Sequence, residues 1–311
     1  MDRLAELPYR LRPRDRATEH TWPIAPADLA RIAIRWPTRY QWAPAAPIVE
    51  TLKDGLMDLG IVTLAPIPQL HSNAIVLECL VDGNPYRVVV DYSDYHDFIS
   101  EAALADCSLY FKGQFRSQGY ADRRVVRGGY TVTGRDYYRY HRPFREQFAA
   151  NRSIDVFGRF GFRFQEEIRR KAIDRLSAAI DLNFVGTGPK VRYSRFIREA
   201  ASARLCLHLP GNGPFTHRVA EFLGVGSCLI SIRFATDLHV PLVPGEHYVV
   251  VADDLSDLVE TCRYYVKNNE ERERIANNGV KFFDRYVHFD QLARFYVRTI
   301  LDRLPGTRVS V

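Results

Sequence analysis

The chain has 311 residues, 46% of them hydrophobic and 26% charged, a composition that suits two modest globular domains and excludes a disordered, collagen-like or low-complexity protein. The formal net charge of +6 is carried almost entirely by arginine, whose planar guanidinium grips phosphate through parallel hydrogen bonds, so the bias suits an anionic partner without establishing nucleic acid. Five cysteines, Cys79, Cys107, Cys206, Cys228 and Cys262, are too dispersed for a metal knuckle or disulfide ladder, no apolar run approaches the ~20 residues that span a bilayer, and the N-terminus lacks the apolar core of a signal peptide; a reducing, cytoplasmic setting is expected.

Residues 1–28 mix prolines and charges without periodic apolar positions and read as an irregular arm. A short strand is expected over 29–36. Ile48, Leu52, Leu56 and Leu59 lie at helical spacing ahead of Gly60, which predicts a helix over 47–60. Aliphatic runs at 73–81 and 86–90 flank Asp82-Gly83-Asn84-Pro85 and read as a hairpin. A further strand, 108–111, leads into Lys112, and the aromatic, arginine-rich stretch 130–148 reads as helical in its latter part. From residue 154 onward strands and helices alternate: strands at 154–157, 182–185, 204–209, 228–232 and 248–251, helices at 164–180, 193–201, 215–225, 255–267, 270–286 and 289–304. That alternation argues for an α/β fold with a parallel sheet covered by helices on both faces. The expected organisation is an arm (1–28), an acceptor-side domain (29–150), a nucleotide-sugar-binding domain (151–287) and a closing helix (288–311).

In open parallel sheets ligands lie beyond the carboxyl ends of the strands. The loop Leu209-Pro210-Gly211-Asn212-Gly213-Pro214 sits at such an end and opens a helix. Gly211 and Gly213 permit close approach of a ligand, Asn212 offers a helix cap, and the helix start presents unpaired N–H groups to an anion. On the helix, Phe215, Val219, Phe222 and Leu223 share one side, while His217, Arg218 and Glu221 gather on the other. Arg218 and Glu221, one turn apart, are placed to meet a diphosphate and ribose hydroxyls respectively; an ordinary surface ion pair would look the same in sequence.

The run from Arg218 to Ile230, a basic residue and an acid one turn apart followed by Gly224-Val225-Gly226-Ser227 and an aliphatic strand, resembles the donor segment of GT-B glycosyltransferases. It is similar to the group 1 enzymes and, in its arginine one turn before the acid, to the exostosin-like and CAP10-like branches. The resemblance covers about residues 151–304. It implies two Rossmann-like domains facing across a cleft, C-terminal helices that cross back to the first domain, a diphosphate held by Arg218 and a ribose held by Glu221. Gly158-Arg159, after the first strand of the second half, resembles the family's turn that faces the phosphates, and physically a glycine there turns the chain so that the arginine projects into the crevice. Retaining group 1 enzymes often carry another Glu eight residues before the acid; Gly213 stands at that position, which points to inversion.

The expected activity is transfer of a sugar from a nucleotide diphosphate sugar to a hydroxyl-bearing acceptor, with no metal and no further cofactor. Such transfer needs a base near the acceptor hydroxyl. Asp91 and Asp94 follow a strand and are the candidates, with His71 and His96 behind them; Lys112, also at a strand end, is a candidate cation for the donor. The nucleotide base is expected to meet the loop 186–193. Two other readings remain open in sequence: a nucleotide-sugar epimerase or hydrolase on the same fold, and a non-catalytic nucleic-acid-associated protein, to which the stretch Tyr137-Tyr138-Arg139-Tyr140-His141-Arg142 invites attention.

Overall fold

Alternating aliphatic residues at Ala74–Val81 (β3) and Asn84–Asp91 (β4) pair antiparallel through their whole length. The two residues between them, Asp82 and Gly83, both have positive φ, 48° and 80°, the mirror-image turn whose twist suits a two-residue hairpin and which Asp-Gly favours. The computed structural model describes residues 13–17, 19–41, 46–186 and 188–304; the first twelve residues of the expected arm and the end of the chain past residue 304 lie outside them. By its internal contacts the chain divides into two α/β units: a first unit of Ala17–Thr133, Ala235–Pro241 and Arg285–Val311, and a second of Met1–Arg16, Gly134–Phe234 and Leu242–Asp284.

In the first unit the hairpin is the centre of a six-stranded sheet. Ile32–Pro37 (β1) lies against β3 antiparallel and against Val62–Ala65 (β2) parallel, while Leu109–Lys112 (β5) and Val125–Arg127 (β7) continue parallel from β4. The order is β2-β1-β3-β4-β5-β7, so the sheet is mixed, and the hairpin of β3 and β4 at its centre is the one the turn sequence predicts. Phe115–Arg116 (β6) forms a separate antiparallel pair with Thr236–Asp237 (β12). The helix Ala46–Asp58 buries Ile48, Leu52 and Leu56, three of the four residues that predicted it; Leu59 lies past its end and is half-buried, and Gly60 beyond has φ 73°. It packs on the closing helix Phe289–Arg303, which joins the first unit as expected. Gly55 permits the close approach: a Cβ there would stand 2.7 Å from both Ala293 Cβ and the Phe289 carbonyl oxygen.

The second unit holds a sheet of five parallel strands: Ile154–Phe157 (β8), Phe184–Val185 (β9), Ala203–His208 (β10), Cys228–Ser231 (β11) and Val249–Val250 (β13). Their order is β9-β8-β10-β11-β13. Counted along the unit this is 2-1-3-4-5, a doubly wound order whose direction reverses between β8 and β10, and ligands of such sheets bind beyond the carboxyl ends at that switch point. Buried faces of the helices Glu166–Ala178, Leu258–Lys267 and Asn269–Phe282 pack with the strands into one core that includes Ala172, Leu176, Leu258, Cys262 and Ile275. The α-helix expected over 270–286 ends at Phe282, and Phe283–Val287 continue in π geometry.

The helix Tyr137–Phe148 goes with the second unit, ahead of the expected boundary at residue 151, because it packs on the helices Tyr193–Ala201 and His217–Gly224. Tyr137, Tyr138, Tyr140 and His141 are buried there, so the aromatic stretch is core and offers no stacking platform to a nucleic acid. All five cysteines are buried free thiols, small hydrophobes as read from their apolar surroundings. Among the described residues no helix is long and apolar enough to cross a membrane.

Candidate functional site

The switch point is where the chemistry-bearing residues meet. β8 runs into Gly158-Arg159-Phe160-Gly161, and β10 into the loop before the helix His217–Gly224. Arg169, on the buried face of the helix Glu166–Ala178, ties the two loops together by donating to the Pro210 carbonyl through Nε (3.1 Å) and Nη2 (2.5 Å) and to the Gly161 carbonyl through Nη1 (2.5 Å). The loop after β10 turns on itself, with Gly211 N donating to the Gly213 carbonyl at 3.0 Å. The helix therefore starts two residues later than its apolar spacing suggests, and Thr216 occupies the cap position. Asn212 is exposed and caps nothing, which corrects the expected role.

A cavity of about 580 Å³ opens at this point, a volume within the range of small-molecule sites. One wall is Arg159, Phe160 and Gly161; a second is the loop residues Gly186, Gly188, Pro189, Lys190 and Val191, with Tyr193 and Phe196; the third is His217, Arg218 and Glu221. The loop expected to meet the base is thus brought against the polar face of the helix His217–Gly224. Gly211, Asn212 and Gly213 stand behind that wall, outside the lining; a Cβ on Gly211 would approach Thr216 Cγ2 at 3.4 Å and Arg169 Nη2 at 3.7 Å.

Glu221 is 0% exposed. Its Oε1 accepts a hydrogen bond from the Tyr193 hydroxyl at 2.6 Å, its backbone carbonyl accepts one from the Tyr137 hydroxyl at 2.8 Å, and its Oε2 has no partner among the described residues. A buried carboxylate oxygen left without a donor is costly unless a ligand supplies one. Burial and the Glu221 charge hold both phenols well above the ordinary tyrosine range, so both stay donors. Gly224 makes room for Tyr137: a Cβ there would lie 2.1 Å from the Tyr137 hydroxyl oxygen and 3.0 Å from the Phe283 ring. Tyr137 is wedged against His141 and Phe283, so Gly224→Ala should cost about 1–3 kcal/mol by overpacking, more than the ~1 kcal/mol of helix propensity it gains. A lowered urea midpoint is the expected result, and an unchanged one would show that the phenol gives way freely.

Positive charge gathers beside this carboxylate. Arg218 donates from Nη1 to the Arg159 carbonyl at 2.5 Å and lies over the Phe196 ring, 5.3 Å from its centroid. Neither Arg218 nor Arg169 forms an ion pair among the described residues. Burial lowers the pKa of Arg218 against the opposing pull of Glu221, and burial together with the Arg218 charge lowers Arg169 to about 10. The buried His208 imidazole, with Nδ1 3.0 Å from Ser231 Oγ, is pushed down to about 3 by burial and then by Arg218, Arg169 and His217, and is neutral. Arg159 differs from expectation. Its guanidinium is held by Glu199, at 2.6 Å and 3.2 Å, a carboxylate it shares with Arg195 at 2.9 Å, so its charge is partly compensated although it lines the cavity.

The candidates of the first unit are placed differently. Asp91 is 1% exposed and accepts from Lys112 Nζ, the Tyr110 hydroxyl and Ser93 N, each at 2.7 Å. Lys112 is 0% exposed and donates also to Ser93 Oγ at 2.8 Å. The two expected ligands of substrate are thus each other's partners inside the first unit's sheet, which corrects Lys112 as a donor-site cation. Asp94 is half-buried and has no hydrogen-bond or ion-pair partner among the described residues. The His96 carbonyl accepts from the Tyr120 hydroxyl, and His71 Nε2 is buried without a hydrogen-bond partner among the described residues.

Sequence reasoning missed Arg169, Tyr193, Phe160 and Phe196. For Arg169 a signal was present: it occupies the stripe completed by Ala172 and Leu176, and an arginine on an apolar stripe needs a polar destination. Residues 163–298 match the glycosyl transferase-like family model. The segment so matched contains the helix His217–Gly224, the loop 186–193 and Arg169, while Arg159 and Phe160 precede it. No protein of curated function matches the chain. Among solved structures the chain is similar to Anabaena Alr3699/HepE in complex with UDP-glucose, at 13% identity over 65% of this chain and 68% of that one with a TM-score of 0.38. It is also similar to WaaG, a glycosyltransferase involved in lipopolysaccharide biosynthesis, at 14% identity over 65% and 61% with a TM-score of 0.42. With scores this low, the fold stands on the chain's own strand order.

Proposed function

We propose that the chain transfers a sugar from a nucleotide diphosphate sugar to a hydroxyl-bearing acceptor, with inversion and without a metal ion. The observation that carries the reading is a single cavity at the switch point of a doubly wound sheet, in which a buried carboxylate with an open oxygen stands beside the Arg218 guanidinium, which has no ion pair among the described residues. A ligand that satisfies both must bring hydrogen-bond donors and negative charge together, as the ribose and diphosphate of a nucleotide do. In this reading Glu221 accepts from ribose and Arg218 meets the diphosphate. Arg169 sets the loops around it, and the aromatic rings of Phe160 and Phe196 give the cavity its apolar surface. The glycosyl transferase-like segment at 163–298 supports the same class of reaction.

In the reaction a carboxylate removes the acceptor's hydroxyl proton. The acceptor oxygen forms a bond to the anomeric carbon on the face opposite the donor's glycosyl–phosphate bond, which breaks with its electron pair going to the diphosphate. The charge appearing there is met by Arg218, a fixed cation in a partly dry site. Asp94 is the proposed base, since Asp91 is occupied by Lys112, Tyr110 and Ser93.

A thermal-shift panel of UDP, GDP, TDP, CDP and their sugars, run with and without EDTA, tests the reading. A nucleotide at 100 times its dissociation constant should stabilise the protein by about 2.7 kcal/mol, in EDTA as well. No shift with any of them would sink the proposal, and conversion of a nucleotide sugar in the absence of acceptor would replace transfer by epimerisation or hydrolysis.

A further inference from the structure

Arg159 lines the cavity, and the carboxylate that holds it does not. Glu199, on the helix Tyr193–Ala201, takes both prongs of one guanidinium edge, Nε at 2.6 Å and Nη2 at 3.2 Å. The remaining nitrogen, Nη1, lies against the loop 186–191: a Cβ on Gly188 would stand 3.6 Å from it. Both edges of the guanidinium are thereby engaged, so an anion in the cavity gains two hydrogen bonds from Arg159 only by displacing Glu199. Glu199 is itself shared. Its Oε1 also accepts from Arg195 Nε at 2.9 Å, one helical turn before it. We propose that Glu199 is a positioning residue that yields Arg159 to the diphosphate and takes it back, Arg195 staying with the carboxylate in between, so that the Glu199 charge sets how fast the nucleoside diphosphate leaves. The inference rests on the nucleotide reading of the cavity and concerns the release of its product.

The exchange is favourable because no charge is orphaned. Arg159 and Glu199 are 16% and 14% exposed, and parting a pair so enclosed is costly when one partner is left alone. Here neither is. Arg195, 55% exposed, remains as a counter-ion to Glu199 while the diphosphate serves Arg159. As the diphosphate departs, the carboxylate returns to the same guanidinium edge, so Arg159 is never stranded in the cavity wall. A diphosphate held by an uncommitted Arg159 as well as by Arg218 would leave more slowly, and product release limits turnover in many enzymes.

The test follows association and dissociation of the tightest binder among UDP, GDP, TDP and CDP on the immobilised full chain by surface plasmon resonance. Glu199→Gln keeps the side-chain volume and removes the charge. It should bind the diphosphate about tenfold more tightly, chiefly through slower dissociation. Arg195→Gln should do the reverse, binding about threefold more weakly, because Glu199 then has Arg159 as its counter-ion alone. A merely structural role for the pair predicts the same sign for both variants. The gain in Glu199→Gln should also vanish in an Arg159→Met background, which separates exchange at Arg159 from a general change of field. A folded Glu199→Gln protein that binds the diphosphate no more tightly than wild type overturns the inference and leaves the nucleotide reading intact, as does a gain that survives without Arg159. Where Glu199→Gln does not fold, Arg195→Gln decides, and unchanged or tighter binding there overturns the inference. Failure of every nucleoside diphosphate to bind the wild-type protein overturns both.

Discussion

Arg218→Ala is expected to lower turnover by at least about 10²-fold while leaving the protein as stable as before, or more so. Both halves follow from the same feature. The Arg218 guanidinium is half-buried and has no ion pair among the described residues, and burial pulls its pKa down, so in the unliganded protein it is a net cost to folding that truncation removes. On the proposed reaction that cost is what provides a fixed positive charge where the diphosphate leaves, and loss of one such group lowers kcat by ~10²–10³. The charge on the leaving oxygen grows toward the transition state, so kcat should fall further than nucleotide affinity. A residue with a merely structural role predicts the opposite pairing, a lower melting temperature with turnover per folded molecule kept. Near-normal kcat in a folded Arg218→Ala protein would remove Arg218 from the mechanism.

The donor half was the more legible one, and the reason lies in how parallel strands are encoded. Strand Ile154–Phe157 and helix Tyr193–Ala201 begin and end where the periodicity placed them, because each is a short apolar run or amphipathic stretch bounded by its own local signals. The polar face of His217, Arg218 and Glu221 could be counted off at 100° per residue, and it does line a cavity. The start of that helix was not legible, since the bond from Gly211 N to the Gly213 carbonyl is a loop closure that no periodicity records. The stripe of Arg169 signalled its burial but not its acceptors, which are carbonyls of two other loops, Gly161 and Pro210. The Glu199 partner of Arg159 lies 40 residues away, and the Gly-Arg dipeptide gave no hint of that pairing. In the first unit the pairings are mixed, and β2, β6 and β12 span only four, two and two residues, too few to establish a period.

Lys112→Met carries the largest expected effect on stability, and it separates a structural lysine from a substrate ligand. Asp91 and Lys112 are 21 residues apart, yet they end the parallel strands β4 and β5 in register with each other, so the pair is built by the sheet itself. Both side chains are shut off from solvent, at 1% and 0% exposure. Burial lowers the Lys112 ammonium pKa and the Asp91 charge opposes that shift, so desolvation outweighs attraction in the pair. Methionine fills much of the same volume but leaves the Asp91 carboxylate facing only the Tyr110 hydroxyl and Ser93 N, an uncompensated buried charge that should cost about 3–5 kcal/mol. Against a total of roughly 5–15 kcal/mol for an ordinary protein, that is a large part of the margin, and the urea midpoint should fall accordingly. The double variant Asp91→Asn, Lys112→Met removes the orphaned charge while keeping an acceptor for Tyr110, so it should recover most of the loss. Nucleotide affinity of the folded fraction should be unchanged in both. A single variant that loses less than about 1 kcal/mol and binds nucleotide more weakly would return Lys112 to the donor site.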